Sequence, residues 1–196
     1  MLPSFRFASF HEGIVDTDPA ALSIDQLIMD GATGRRALSN DDLRRITDHI
    51  ARAGFDPLAA EQVRGALSGV LSRGRVLRGR DRLPPAERHF LGHVVQRREW
   101  PLGITLSQYL ESIRAVIDDP TSGIVANRYL GEWSVAILRE TRDLRGSGGN
   151  DWTLVQYRLG SGHWVTAFQP EAGLEELQKP AWSNVRWLRQ PIRSNS

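Results

Sequence analysis

Residues 152–168 read WTLVQYRLGSGHWVTAF. Two runs rich in β-branched and aromatic residues flank Leu159-Gly160-Ser161-Gly162, which is a strong hairpin signal. Trp152–Arg158 and His163–Phe168 are therefore predicted as paired antiparallel strands, the second ended by Pro170. On that second strand a period of 2 puts Trp164, Thr166 and Phe168 on one face and His163, Val165 and Ala167 on the other. Upstream, Gly123–Tyr129 and Trp133–Glu140 carry the same signature and are joined at Leu130-Gly131-Glu132. In the latter run Trp133, Val135 and Ile137 alternate with Ser134, Ala136 and Leu138. Short connections between the strands predict an antiparallel four-strand meander. Gly146-Ser147-Gly148-Gly149 is not followed by a helix, so it reads as a flexible loop, not a phosphate cradle.

Ahead of the sheet the apolar period is 3.6. Pro84-Pro85 starts a helix running to about Arg98, with Phe90, Leu91, Val94 and Val95 as its core face and His89 and His93 flanking it. A further helix begins at Thr105 or Leu106, carries the stripe Tyr109, Leu110, Ile113, Val116 and Ile117, and stops at Asp118-Asp119-Pro120. Further back, Ser23 caps a short helix over 23–29, broken by Gly31 to Gly34. Ser39 or Asn40 caps another, with Leu43, Ile46, Ile50 and Ala53 on its buried face. Asp56 and Pro57 are predicted to open a third, buried through Ala60, Val63, Leu67, Val70 and Leu71. The fold class is α+β: an N-terminal helical segment, then two helices packed on the four-strand meander. The expected organisation is a helical segment 1–73, a basic linker 74–83, a main domain 84–173 and an extension 174–196. In that extension Trp182, Trp187 and several arginines alternate around prolines, and it either covers the sheet edge or stays loose.

Of 196 residues, 40% are hydrophobic and 24% charged, the balance of a globular chain. No apolar run approaches the roughly 20 residues of a membrane span. The first residues lack the basic and apolar regions of a secretory signal. The chain is thus expected in the cytoplasm, or delivered into a target cell's cytoplasm by a route without such a signal. Cysteine is absent, which removes disulfides, thiol nucleophiles and thiolate metal sites. Net charge is only +2, yet residues 71–98 hold 8 arginines against Asp81 and Glu87. Of 25 cations 24 are arginine, whose planar fork suits phosphate. A GC-rich genome explains the overall arginine bias equally well.

His89 and His93, at i and i+4, share one side of their helix. Such a pair serves as metal ligands, as one proton-transferring imidazole (unperturbed pKa ~6.5), or as packing beside Phe90 and Trp100. Phe90 stands where a metallopeptidase helix needs glutamate, and no further ligand cluster is evident, so no metal or other cofactor is expected. Thr166 lies between large aromatics on its strand, where bases stack or where a core simply forms. Arg128 and Arg158 lie on strands; a guanidinium in a cleft stabilises the charge of a phosphoryl-transfer transition state, and one on a solvated face does nothing of the kind. Phosphate-loop, nucleophile-elbow and dinucleotide motifs are absent. The acid pairs Asp41-Asp42 and Asp118-Asp119 are explained by helix ends.

The order "H-F-x-x-H-V" helix (His89–Val94), "T-x-x-x-Y" helix (Thr105, Tyr109) and strands ending "W-V-T-A-F-x-P" (Trp164–Pro170) resembles the bacterial toxin ribonucleases of the barnase–EndoU–colicin–RelE-like group. The closing "T-A-F-Q-P" also resembles the end of the RNase A-like toxin domains. The likeness covers about residues 84–173. It implies a metal-independent endoribonuclease in which the ribose 2′-hydroxyl attacks the adjacent phosphate and leaves a 2′,3′-cyclic phosphate. On this chain it implies His93 or His89 as the helix histidine, Thr166 as the strand hydroxyl, Arg128 or Arg158 as the cation and Tyr109 as a helix tyrosine. Arg88, Arg97 and Trp164 would contact RNA. An immunity or antitoxin protein would be the partner, and no membrane is involved. The chain departs from the pattern in having no catalytic lysine and no second well-placed histidine except His163, expected on the face opposite Thr166. A competing reading is a non-catalytic module of phage or plasmid origin that binds nucleic acid or protein.

Overall fold

The computed structural model describes residues 22–56 and 83–193. The helix expected from Pro57 and the basic linker 74–83 fall almost wholly outside these residues. Helix α1 spans Ile24–Thr33, α2 Asn40–Ala51, α3 Pro85–Phe90 and α4 Leu106–Asp118. Strands β1 Gly123–Tyr129, β2 Glu132–Glu140, β3 Trp152–Arg158, β4 His163–Phe168 and β5 Trp182–Arg189 form one antiparallel sheet in the order β4-β3-β2-β1-β5. The α+β class holds, but the sheet has five strands, not four. The fifth escapes sequence reading because its alternation is broken. Asn184 takes a left-handed φ of 50°, and the pairing of β5 with β1 slips twice. Half of β5 is also exposed and only Trp182 is buried, which leaves no apolar stripe to read.

One face of the sheet carries Ile124, Ala126, Val135, Ile137, Val155 and Tyr157, packed against α1, α2 and α4 in a single apolar core. Leu27, Ile28, Leu43, Ile46 and Ile50 belong to that core beside Ile113, Val116 and Ile117, so α1 and α2 pack on the same sheet as α4. The second face carries Val125, Ala136, Leu138 and Leu154, covered by Leu177 and Trp182.

Local signals set the helix ends. The first helix runs past Gly31 and stops at Gly34, whose φ of 75° gives the left-handed cap. Ser39 opens α2: its Oγ accepts the Asp42 N–H at 3.1 Å while the Asp42 carboxylate accepts the Ser39 N–H at 3.0 Å, closing a capping box. Burial works against the Asp42 charge, but the Ser39 bonds and Arg36 at 2.7 Å outweigh it and hold the carboxyl below its ordinary range. A depressed folded value means that this contribution is present at neutral pH and is lost as pH falls through the carboxylate range. Ser39→Ala is expected to cost about 0.5–2 kcal/mol, read as a lower urea midpoint at unchanged slope.

In α3 the buried side differs from the expected one. The helix continues as a π-helical turn over Leu91–Gln96. Arg88, His89, Gly92, His93 and Val94 are buried, Phe90 and Leu91 only half so, and Val95 is 52% exposed. The wider turn rotates the histidine side inward, away from the stripe that a 3.6 period assigns. Among the described residues no helix is long and apolar enough to cross a membrane.

Candidate active site

The π-helical turn sets His93 beside Glu99, and its Nδ1 lies 3.0 Å from both carboxylate oxygens. Glu99 is buried and also accepts the Gln169 N–H at 2.9 Å, with Arg97 NH1 at 3.6 Å. A carboxylate at Nδ1 keeps the proton on that nitrogen and leaves the lone pair on Nε2, the arrangement of an oriented general base.

The backbone of Arg97–Trp100 is fixed by the glycine loop. Gly146 N–H donates to the Glu99 carbonyl at 2.7 Å and Gly148 N–H to the Arg98 carbonyl at 2.9 Å. A Cβ on Gly146 would collide with the Trp100 and Arg98 carbonyl oxygens, one on Gly148 with the Arg97 carbonyl oxygen, and one on Gly149 with the Glu99 carbonyl oxygen. The expectation of a flexible loop is therefore corrected: glycine is needed here for close backbone approach.

Four rings run along the outer edge of β4. Phe55 stacks on His89 at 4.6 Å, His89 on His93 at 5.8 Å, and His93 on Phe168 at 6.0 Å. The column starts beside Trp164, because Phe55 forms a parallel bridge with it: Asp56 N–H donates to the Trp164 carbonyl and Trp164 N–H to the Gly54 carbonyl, both at 2.7 Å. It ends at Phe168. Thr166 lies on β4 midway between those two anchor points.

The faces of β4 also need correction. Gln156 pairs with Thr166 and Tyr157 with Trp164, so Val165 is an extra residue in a bulge. Residues directly paired share a face. Trp164 and Ala167 thus face the helices, with both in the main core, while Thr166 and Phe168 face the other way. His163, paired with Arg158, lies on the Thr166 face and not opposite it.

On that second face, Gln156 Nε2 donates to Asn127 Oδ1 at 3.2 Å, and the fully buried Gln156 Oε1 has no partner. Arg158 is on the same face, two residues along β3 from Gln156, with NH1 3.0 Å from Asp56 Oδ2. Arg128 is elsewhere: it donates to the Gly131 carbonyl at 3.0 and 2.6 Å, at the exposed end of β1, with β2 and β3 between it and β4. Tyr109 is fully buried and fastens α4 to β4 through its hydroxyl, which donates to the Ala167 carbonyl at 3.1 Å. Burial first, and the Glu99 charge second, push its phenol well above the ordinary range.

Trp164 is 1% exposed, its Nε1–H donates to the Ile50 carbonyl at 2.9 Å, and Arg114 covers its ring at 5.4 Å, so no face is left for a base. Arg88 is buried and donates to the Leu83 carbonyl at 2.7 Å. The Arg97 side chain is 54% exposed, with NH1 3.6 Å from Glu99 Oε1. The structure thus gathers His89, His93, Thr166 and Arg158 around β4 and leaves Arg128 out.

Sequence reasoning missed Glu99, Gln169 and the glycine loop. Glutamate six residues after His93, directly before Trp100-Pro101, is the one signal available, and nothing in the chain says which loop will hold it.

Compared with protein-family models, with curated proteins and with solved structures, the chain matches none.

Proposed function

We propose that the protein is a metal-independent endoribonuclease of the toxin type, cutting RNA by transphosphorylation. The observation that carries this reading is the oriented imidazole of His93 at the edge strand that bears Thr166. Glu99 holds Nδ1, and Nε2 takes the proton of a ribose 2′-hydroxyl as O2′ attacks phosphorus. The Thr166 hydroxyl donates to a non-bridging phosphate oxygen. Arg97, and Arg158 from the second face, supply positive charge as the phosphorane forms. Tyr109 serves the fold, and His89 aligns His93 by stacking. An immunity or antitoxin protein that covers the β4 edge would silence the enzyme.

The test is incubation of the purified protein with total RNA in the presence of a chelator, followed by analysis of the new ends. Fragments ending in 2′,3′-cyclic phosphate are expected, and Thr166→Ala should lower their yield at least tenfold, on the order of one lost phosphate contact. RNA that stays intact, or cutting that chelator abolishes, defeats the proposal. Salt-dependent RNA retention without products would instead favour a binding module.

A further inference from the structure

We propose that Arg98 binds a phosphate of the RNA chain next to the one that is cut, and so helps to seat the strand at His93. The inference rests on the ribonuclease reading above for its ligand and adds a substrate contact to it.

The π-helical turn ends in an unusual way. Arg97 caps it, and the next residue, Arg98, takes a left-handed φ of 55°. Just past a helix end that conformation normally falls to glycine, because a Cβ is crowded there. The end of α1 follows the rule, with Gly34 at φ 75°. The turn closes around Arg98: Arg97 N–H donates to the Gly92 carbonyl at 3.1 Å, and Glu99 N–H to the His93 carbonyl at 2.9 Å. A larger residue thus stands where the backbone favours the smallest one.

Its guanidinium does no visible work in the fold. Arg98 is exposed, and among the described residues its side chain has no carboxylate or carbonyl partner. Its neighbours do. Arg97 NH1 lies 3.6 Å from Glu99 Oε1, and in the segment leading into the glycine loop Arg142 meets Glu140 at 2.8 Å and Arg145 meets Asp151 at 2.9 Å. A strained backbone position that carries an unshared charge, directly before the carboxylate that orients His93, fits a residue kept for a ligand. A guanidinium matches a phosphate with two parallel N–H bonds. RNA carries a phosphate on every nucleotide, so a strand seated with one of them at His93 offers the next to this helix end. The structural alternative is a positive charge that serves only the negative end of the helix.

Arg98→Gly separates the two, because they predict opposite signs for stability. As a ligand contact, Arg98 can be lost with an unchanged or higher urea midpoint, since glycine accepts the left-handed φ without strain. The KM for the RNA that the wild type cuts should rise about tenfold while kcat stays within about twofold, the mark of binding that is equal in ground and transition states. Binding of the same RNA, measured in the His93→Asn background so that it stays whole, should lose about one from its slope of log K against log salt. Arg98→Lys keeps the charge and should keep that slope. A lowered midpoint in Arg98→Gly overturns the assignment in favour of the helix end. An unchanged KM and salt slope overturns it too, and leaves the guanidinium to a protein partner. Should the glycine variant not fold, Arg98→Asn, which also tolerates the left-handed region, is judged by the same measurements. A wild-type protein that cuts no RNA fails the ribonuclease reading itself; an active wild type with an indifferent Arg98→Gly fails this assignment alone.

Discussion

Replacing His93 by asparagine is expected to lower RNA cleavage by about 100- to 10,000-fold while leaving the fold in place. Asparagine is chosen because its side-chain NH₂ sits near the position of Nδ1. It can keep donating to the Glu99 carboxylate, which lies 3.0 Å from that nitrogen in the native protein. Alanine would instead take a bond away from a buried carboxylate, at a cost of about 1–3 kcal/mol or more, and would mix loss of stability with loss of chemistry. What asparagine lacks is any group in place of Nε2, so only the base is removed. Glu99→Gln tests the same bond from the other side. Its amide presents either a carbonyl or an NH₂ to Nδ1, and the NH₂ orientation moves the ring proton to Nε2, where it blocks the base. A large fall in kcat with an unchanged urea midpoint is expected for both variants. Full activity of His93→Asn would remove the imidazole from the mechanism.

The strands that carry this chemistry are legible because their outward signals are short-range. Gly160 and Gly162 have positive φ in the β3–β4 hairpin, Leu130 and Gly131 in the β1–β2 turn, and β2 pairs with β1 and β3 without a register shift. The bulge at Val165 is not legible. Nothing in HWVTAF marks Val165 as the unpaired residue. A one-residue slip moves every later side chain to the other face, and this one inverts the relation between His163 and Thr166. The helix histidines present the same difficulty. Phe90, Leu91, Val94 and Val95 form the stripe that an α-helical period predicts, and a π-helical turn redistributes it so that Val95 meets water and His93 does not. Long-range partners are the least legible part. Glu99 is bound by His93, by Gln169 seventy residues later and by the glycine loop, and no local pattern announces a contact of that kind.

That loop makes the second strong prediction. Gly148→Ala is expected to destabilise the protein by about 1–3 kcal/mol or more and to depress cleavage with it. Its φ lies outside the left-handed region, so alanine is not barred by backbone conformation. The obstacle is contact alone: the new Cβ would overlap the Arg97 carbonyl oxygen, which is backbone and cannot swing aside. The chain must then part at the Gly148 N–H to Arg98 carbonyl bond of 2.9 Å, and the strain falls on the neighbouring Gly146 N–H to Glu99 carbonyl bond of 2.7 Å. Glu99 is the residue displaced, and His93 loses the acceptor that sets its tautomer. Gly54→Ala is the matched comparison. A Cβ there meets nothing within 4 Å and the φ is again ordinary, so that variant should be neutral or gain about 0.4–1 kcal/mol from a stiffer unfolded chain. Urea midpoints and cleavage rates of the two variants, measured side by side, decide the matter. If Gly148→Ala matches Gly54→Ala in both, the loop is the flexible linker that its composition suggests, and the His93–Glu99 pair must be held by something other than this backbone.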